Sequence, residues 1–178
     1  MTQEAAGQDP HEQWLTGLSD MIRGPRGTRL GVPRHALERI AALLGDDAQI
    51  SWVESTVRYA KNEEGDGLIG TLAVFGQRLL AVATFQNVQE RRWPGSRDND
   101  GAVSVRLIRR SDLERIEVPT SNSYDNGPDA WGGESDGAWR YRTSIDLTYR
   151  DGTKVELGAG DSGNVFLLMP SLREDLLV

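Results

Sequence analysis

The chain has no cysteine, only two histidines (His11 and His35), and two lysines against eighteen arginines. Without cysteine there is no disulfide framework and no thiolate-held metal. Two histidines are too few for a histidine-built zinc site, so no metal and no cofactor is expected. Long apolar runs are also missing: nothing approaches the roughly 20 residues of a membrane-spanning helix. The N-terminal stretch MTQEAAGQDPHEQW has neither the basic nor the apolar region of a secretory leader, which makes the cytoplasm the expected compartment. An excess of positive charge is absent as well. The formal net charge is −7, and the basic residues are scattered among acidic ones. Nucleic-acid binding draws most of its affinity from a coherent basic face. Nucleic acid is therefore not expected as a partner, and the net charge disfavours membrane contact. The arginine excess over lysine reflects a GC-rich coding bias rather than a function.

A length of 178 residues suits one domain with an appendage, and such a chain can bury a sizeable core. The hydrophobic period divides it. Asp9 offers an N-cap, Pro10 a first helical position and Glu12 a reciprocal cap. Trp14, Leu15, Leu18, Met21 and Ile22 then recur at helical spacing. A Gly/Pro/Arg linker, residues 24–33, precedes a second helical stripe of Leu37, Ile40, Ala41 and Leu44, ended by Gly45. Residues 1–47 thus read as a helical appendage with a disordered start.

From residue 49 the period becomes 2, and residues 48–178 read as a β domain of about seven strands. Residues 50–60 are expected as one strand, 67–75 and 78–85 as a hairpin turning at Gly76-Gln77, and 102–110 and 111–118 as two more strands. Residues 139–149 and 153–157 form a last hairpin, turned by Asp151-Gly152. The segment 119–137, rich in Gly, Ser, Asn and Asp, is expected to be a mobile loop. A terminal helix carries Val165, Leu168, Leu172 and Leu176, with Pro170 either beginning or kinking it.

Two catalytic motifs overlap near the end. Gly158, Gly160 and Gly163 satisfy G-x-G-x-x-G, and residues 160–163 spell the GDSG of serine-protease nucleophiles. The dinucleotide fingerprint needs a βαβ unit and an acidic ribose ligand roughly 20 residues on; the chain stops at residue 178. The protease motif needs a histidine base held by a carboxylate, and further chain beyond the serine for a specificity pocket. His11 and His35 both fall in predicted helices. Asp98-Asn99-Asp100-Gly101 resembles a calcium loop, but the twelfth ligand position falls on Leu107. No nucleophile, base and stabiliser assemble, and no enzyme is expected.

Residues 67–85 (GLIGTLAVFGQRLLAVATF), 106–118 (RLIRRSDLERIEV) and 144–157 (SIDLTYRDGTKVEL) resemble the successive strand pairs of bacterial pleckstrin-homology-like and GRAM-type domains. The match is a loose hydrophobic pattern over residues 49–178. The chain departs from the family in an acidic first hairpin loop, residues 61–66, where phosphoinositide binders carry basic clusters. The resemblance implies a mainly β (α+β) fold: a bent antiparallel sheet or partly open barrel closed by a C-terminal helix containing Leu172 and Leu176. A lipocalin-like meander is the rival architecture. Trp52, Leu72, Val74, Leu79, Ala81, Val105, Leu107, Ile116, Ile145, Leu147 and Val155 are expected inside. The hairpin of residues 67–85 is apolar on both faces, so a second cover is required, and the helix of Leu37, Ile40, Ala41 and Leu44 is the nearest.

The function expected is a non-catalytic protein-interaction module of a bacterial cytoplasm, working through a sheet edge or end loops, its partner an unidentified protein or a second copy of itself. The alternative is a peripheral binder of anionic lipid, and a third reading is a small-ligand-binding β-barrel. Candidate partner-binding residues are Trp93, Arg97, Arg106, Arg109, Arg110, Trp131, Arg140 and Arg142, because arginine and tryptophan are frequent interface anchors. Trp131 either anchors a partner or folds onto the sheet. The lipid reading groups Arg106, Arg109, Arg110, Arg140 and Arg142 on one basic face.

Overall fold

In a computed structural model, which describes residues 9–23, 30–45, 49–61, 67–89, 101–118, 144–158 and 165–178, the change of period at residue 49 separates helix from sheet. Helix α1 spans Pro10–Arg23 and α2 spans Arg34–Leu44. Asp9 caps α1 by accepting from His11 N at 3.0 Å. Glu12 does not close a reciprocal cap; it forms an ion pair with Arg34 that ties the two helices together. Strands follow at Trp52–Ser55 (β1), Arg58–Ala60 (β2), Gly67–Phe75 (β3), Leu79–Val88 (β4), Ala102–Arg109 (β5), Leu113–Glu117 (β6), Ile145–Tyr149 (β7) and Lys154–Leu157 (β8). Helix α3, Met169–Leu177, ends the chain.

The strands make two open antiparallel sheets, not a closed barrel. The larger has the order β1-β3-β4-β5, with β2 following β1 along the same side of β3; the smaller is β6-β7-β8. The single strand expected over residues 50–60 is thus two. The break falls at Thr56 and Val57, opposite Gly70 of β3, whose φ is +121°. A Cβ there would sit 2.6 Å from the Thr56 carbonyl oxygen, so only glycine lets the two backbones approach. The β3–β4 turn centres one residue later than expected. Gly76 N donates to Leu79 O at 2.8 Å, leaving Gln77 and Arg78 as the turn pair, and none of these takes a positive φ. The Asp151-Gly152 hairpin forms, with Gly152 at φ +81° and Asp151 accepting from Thr153 N and Oγ1, both at 2.9 Å. Pro170 begins α3 rather than kinking it.

The larger sheet lies between two cores. On one face Leu72, Val74, Ala81, Ala83 and Phe85 pack with Leu15, Leu18, Ile22, Leu37 and Ile40 of the helices. On the other, Ala73, Phe75, Leu80 and Ile108 pack with Ile145, Leu147, Tyr149 and Leu157 of the small sheet and Leu172 of α3. The apolar second face of β3 therefore has its cover, and α2 lies in it with α1. One correction follows from this layering: Leu72, Val74 and Ala81 do not share an interior with Ile145 and Leu147, because the sheet stands between them. One further position expected inside, Leu107, is exposed, as is Leu176 of the closing helix. Leu107 is exposed because β5 is an edge strand that the helices cover only in part. Leu176 is exposed because only Leu172 of α3 is buried against the sheets. Met21 of α1 is likewise exposed.

Candidate functional site

Among the described residues, β5 has a partner strand on one side only. It pairs along its length with β4, from Leu79↔Arg109 to Gln86↔Ala102, and no described strand lies beyond it. In an antiparallel ladder, alternate residues turn both backbone groups toward the partner or both away. Just past β5, Arg110 N donates to Arg78 O at 2.9 Å, which sets the even positions toward β4. Val103, Val105 and Leu107 then present their backbone groups outward. Arg39 of α2 donates from Nη1 to the Val103 carbonyl at 3.3 Å and so occupies the first of these positions. Val105 and Leu107 remain as the open part of the edge.

The three candidate arginines of this region part company. Arg106 leans across to the β7–β8 turn, where Nη1 donates to Thr153 Oγ1 at 2.9 Å and lies 3.6 Å from Asp151 Oδ2. The Asp151 carboxyl is held below the usual carboxylate range, mainly by the Thr153 backbone N–H, then by its hydroxyl and, among smaller causes, by Arg106. Arg109 is exposed and lines a hollow of about 390 Å³ with Gln77, Arg78, Leu79, Ser111 and Asp175.

Arg110 corrects the expectation of an outward basic face, since its residue is only 3% exposed. Its Nε and Nη2 donate to Asp175 Oδ2 at 2.9 and 2.7 Å, Nη1 donates to Gly76 O at 2.8 Å, and Nη2 also meets Ser171. The guanidinium carbon lies 5.9 Å from the centre of the Phe75 ring. A guanidinium has five N–H donors and can be buried when they are matched in this way. Burial nonetheless raises the Asp175 carboxyl above its usual value, against the lowering pull of Arg110. Arg110 thus pins the β3–β4 turn and the β5–β6 connection to α3.

Trp93, Arg97, Trp131, Arg140 and Arg142 lie outside the described residues, as do the segment 119–137 and residues 160–163 of the two motifs.

A polar residue that the sequence reasoning passed over is Glu54 on β1. It is 2% exposed, and neither carboxylate oxygen has a hydrogen-bond partner among the described residues. The signal for it was present: period-2 alternation puts Glu54 on the same face as Trp52, which packs against the core between the sheets. No group of three or more His, Cys, Asp or Glu side chains able to hold a metal ion occurs among the described residues. Comparison with protein-family models, curated proteins and solved structures returns no match to this chain.

Proposed function

We propose that the protein is a non-catalytic interaction module that receives an extended segment of a partner protein, or of a second copy of itself, along the edge of β5. The observation that carries this is the edge itself: an eight-residue strand that, among the described residues, is paired on one side only, with outward backbone groups at Val105 and Leu107 and Leu107 36% exposed. Unpaired strand edges are templates for pairing, and proteins that do not use them usually blunt them with proline, inward charges or short length. This edge has no proline and is long. The four-strand-wide sheet, the three-stranded sheet and the helix packed against their shared core support the resemblance to pleckstrin-homology-like domains, a fold that hosts many unrelated partners.

The anionic-lipid alternative asks for Arg106, Arg109 and Arg110 on one face. It is weakened because Arg110 is turned inward and Arg106 is engaged with the β7–β8 turn. The test is Leu107→Pro, which removes one outward donor and spares every hydrogen bond to β4. Capture of a specific protein from the native host by the wild-type chain, lost on this substitution at unchanged melting temperature, supports the reading, and so does loss of self-association by light scattering. Sedimentation with anionic vesicles that is unaffected by Leu107→Pro contradicts it.

A further inference from the structure

We propose that the cleft between the free margins of the two sheets binds a small organic cation of the alkylguanidinium or alkylammonium class, with Glu54 as its counter-ion. The cleft holds about 370 Å³ and is lined by Glu54, Thr56, Thr71, Ala73, Val82 and Val155, together with Asp146, Lys154 and Glu156 of β7 and β8. That volume lies at the small end of the range for ligand sites.

Strand pairing orders the floor of the cleft. The row Trp52–Phe75–Leu80–Ile108 crosses the sheet deep under the small sheet and α3. Two residues further along each strand lies the row Glu54–Ala73–Val82–Arg106, and beyond it Thr71–Thr84–Ser104. Glu54 therefore stands where the apolar interior gives way to a polar margin. Its near-zero exposure puts the carboxylate at the closed inner end. β1 and β8 are the margins of their sheets, and no described strand fills the gap between them.

A buried carboxylate without a donor is costly, and the cost is removed by a partner that brings both charge and N–H groups. No described residue donates a hydrogen bond to the Glu54 carboxylate. Trp52, two residues away on the same face, has an indole N–H that is also buried without an acceptor. One donor and two acceptor atoms are thus left open on one face of β1. An alkylguanidinium meets the carboxylate with two parallel N–H groups, and its chain lies along Ala73, Val82 and Val155. The other charged residues of the lining are two acids, Asp146 and Glu156, against one base, Lys154, so the walls favour a cation over an anion. The single buried carboxylate is a poor cage for a metal ion, which wants six or more oxygen ligands when it is a hard cation such as calcium. An organic monocation needs only one. The site does not depend on whether β5 receives a partner.

The test is a titration of the full chain with butylguanidinium and with butylurea, its uncharged isostere, followed by amide and indole N–H chemical shifts. Saturable binding of butylguanidinium is expected, with shifts at Ala73, Val82, Val155 and the Trp52 indole, and butylurea weaker by about tenfold or more. Glu54→Gln should weaken butylguanidinium by at least about tenfold, and Lys154→Met should strengthen it. The comparison with butylurea needs no variant, so it stands even if Glu54→Gln fails to fold. Equal affinity for the two compounds, no saturation at millimolar concentration, or shifts elsewhere on the surface would overturn the proposal. A capped extended peptide carrying one arginine separates the two sources of this chemistry. Binding much tighter than butylguanidinium assigns the site to a protein side chain, and equal binding assigns it to a free small cation.

Discussion

Removing the Arg110 guanidinium perturbs one of the two buried charged residues among the described residues. In Arg110→Met the apolar stem is kept and the charge is lost. Asp175, whose side chain is 14% exposed, then loses its described counter-ion, Ser171 loses its contact with Arg110, and the Gly76 carbonyl keeps only the 3.5 Å hydrogen bond from Ser51 Oγ. Breaking a buried ion pair from one side costs about 3–5 kcal/mol, because the remaining charge stays buried. A chain of this size loses about 2–4 °C of Tm per kcal/mol, so the expected fall is about 6–20 °C. Arg110→Met/Asp175→Leu should recover much of the loss, since it leaves no buried charge and a Gly76 carbonyl held only by Ser51 Oγ, at a cost of up to about 1–3 kcal/mol. Urea unfolding at neutral pH gives the free energies, and the double-mutant cycle isolates the pair.

The pH dependence supplies an independent sign. Asp175 in the folded protein already sits above its usual value, through burial. Without Arg110 it loses the one lowering influence and rises further. A carboxyl whose folded value lies above its unfolded value makes folding less favourable when ionised, and that penalty fades as pH falls through the folded value. The deficit of Arg110→Met relative to wild type should therefore shrink between neutral pH and the carboxylate range. A deficit below about 1 kcal/mol, or a double variant no better than the single one, would show that the contacts of Arg110 are incidental and would falsify the clamp.

Gly70→Ala should destabilise by more than about 2 kcal/mol, from a strained φ and a clash with the Thr56 carbonyl; a urea midpoint within error of wild type refutes the close approach of β1 and β2 to β3. Deleting residues 1–46 uncovers Leu72, Val74, Ala83 and Phe85 and should yield insoluble or dye-binding protein; a soluble fragment that melts like the full chain refutes the shared core. The lowered carboxyls of Asp151 and Glu12, the second held down mainly by its hydrogen bond from Arg34, have the opposite linkage to Asp175. Their contribution is present above the ordinary carboxylate range and is lost as pH falls through their folded values. Asp151→Asn should therefore differ from wild type at neutral pH and converge with it in acid, as read by the urea midpoint; a constant gap refutes the assignment.

How far each of these features could be seen beforehand depends on which physical signal carries it. The two-faced apolar strand of residues 67–75 required covers on both sides, and both exist, because burial of a continuous apolar run leaves no other solution. Which residues share a core was hidden, since alternation separates the two faces of a strand but does not name what lies against each. Arg110 and Arg109 show the same limit. Alternation places Ile108 and Arg110 on one side and Arg109 on the other, so the three arginines of residues 106–110 cannot form one face while the strand runs on. The lipid reading put Arg110 on a basic face, whereas parity with Ile108 pointed it inward, and parity prevailed because Asp175, sixty-five residues away, supplies the charge that makes burial tolerable. That partner is invisible to any local pattern. Glu54 shows the reverse case: alternation with Trp52 marked it as inward, and no described side chain meets it. A buried charge whose partner lies far along the chain and one that no described side chain hydrogen-bonds look alike in sequence, and only the fold separates the two.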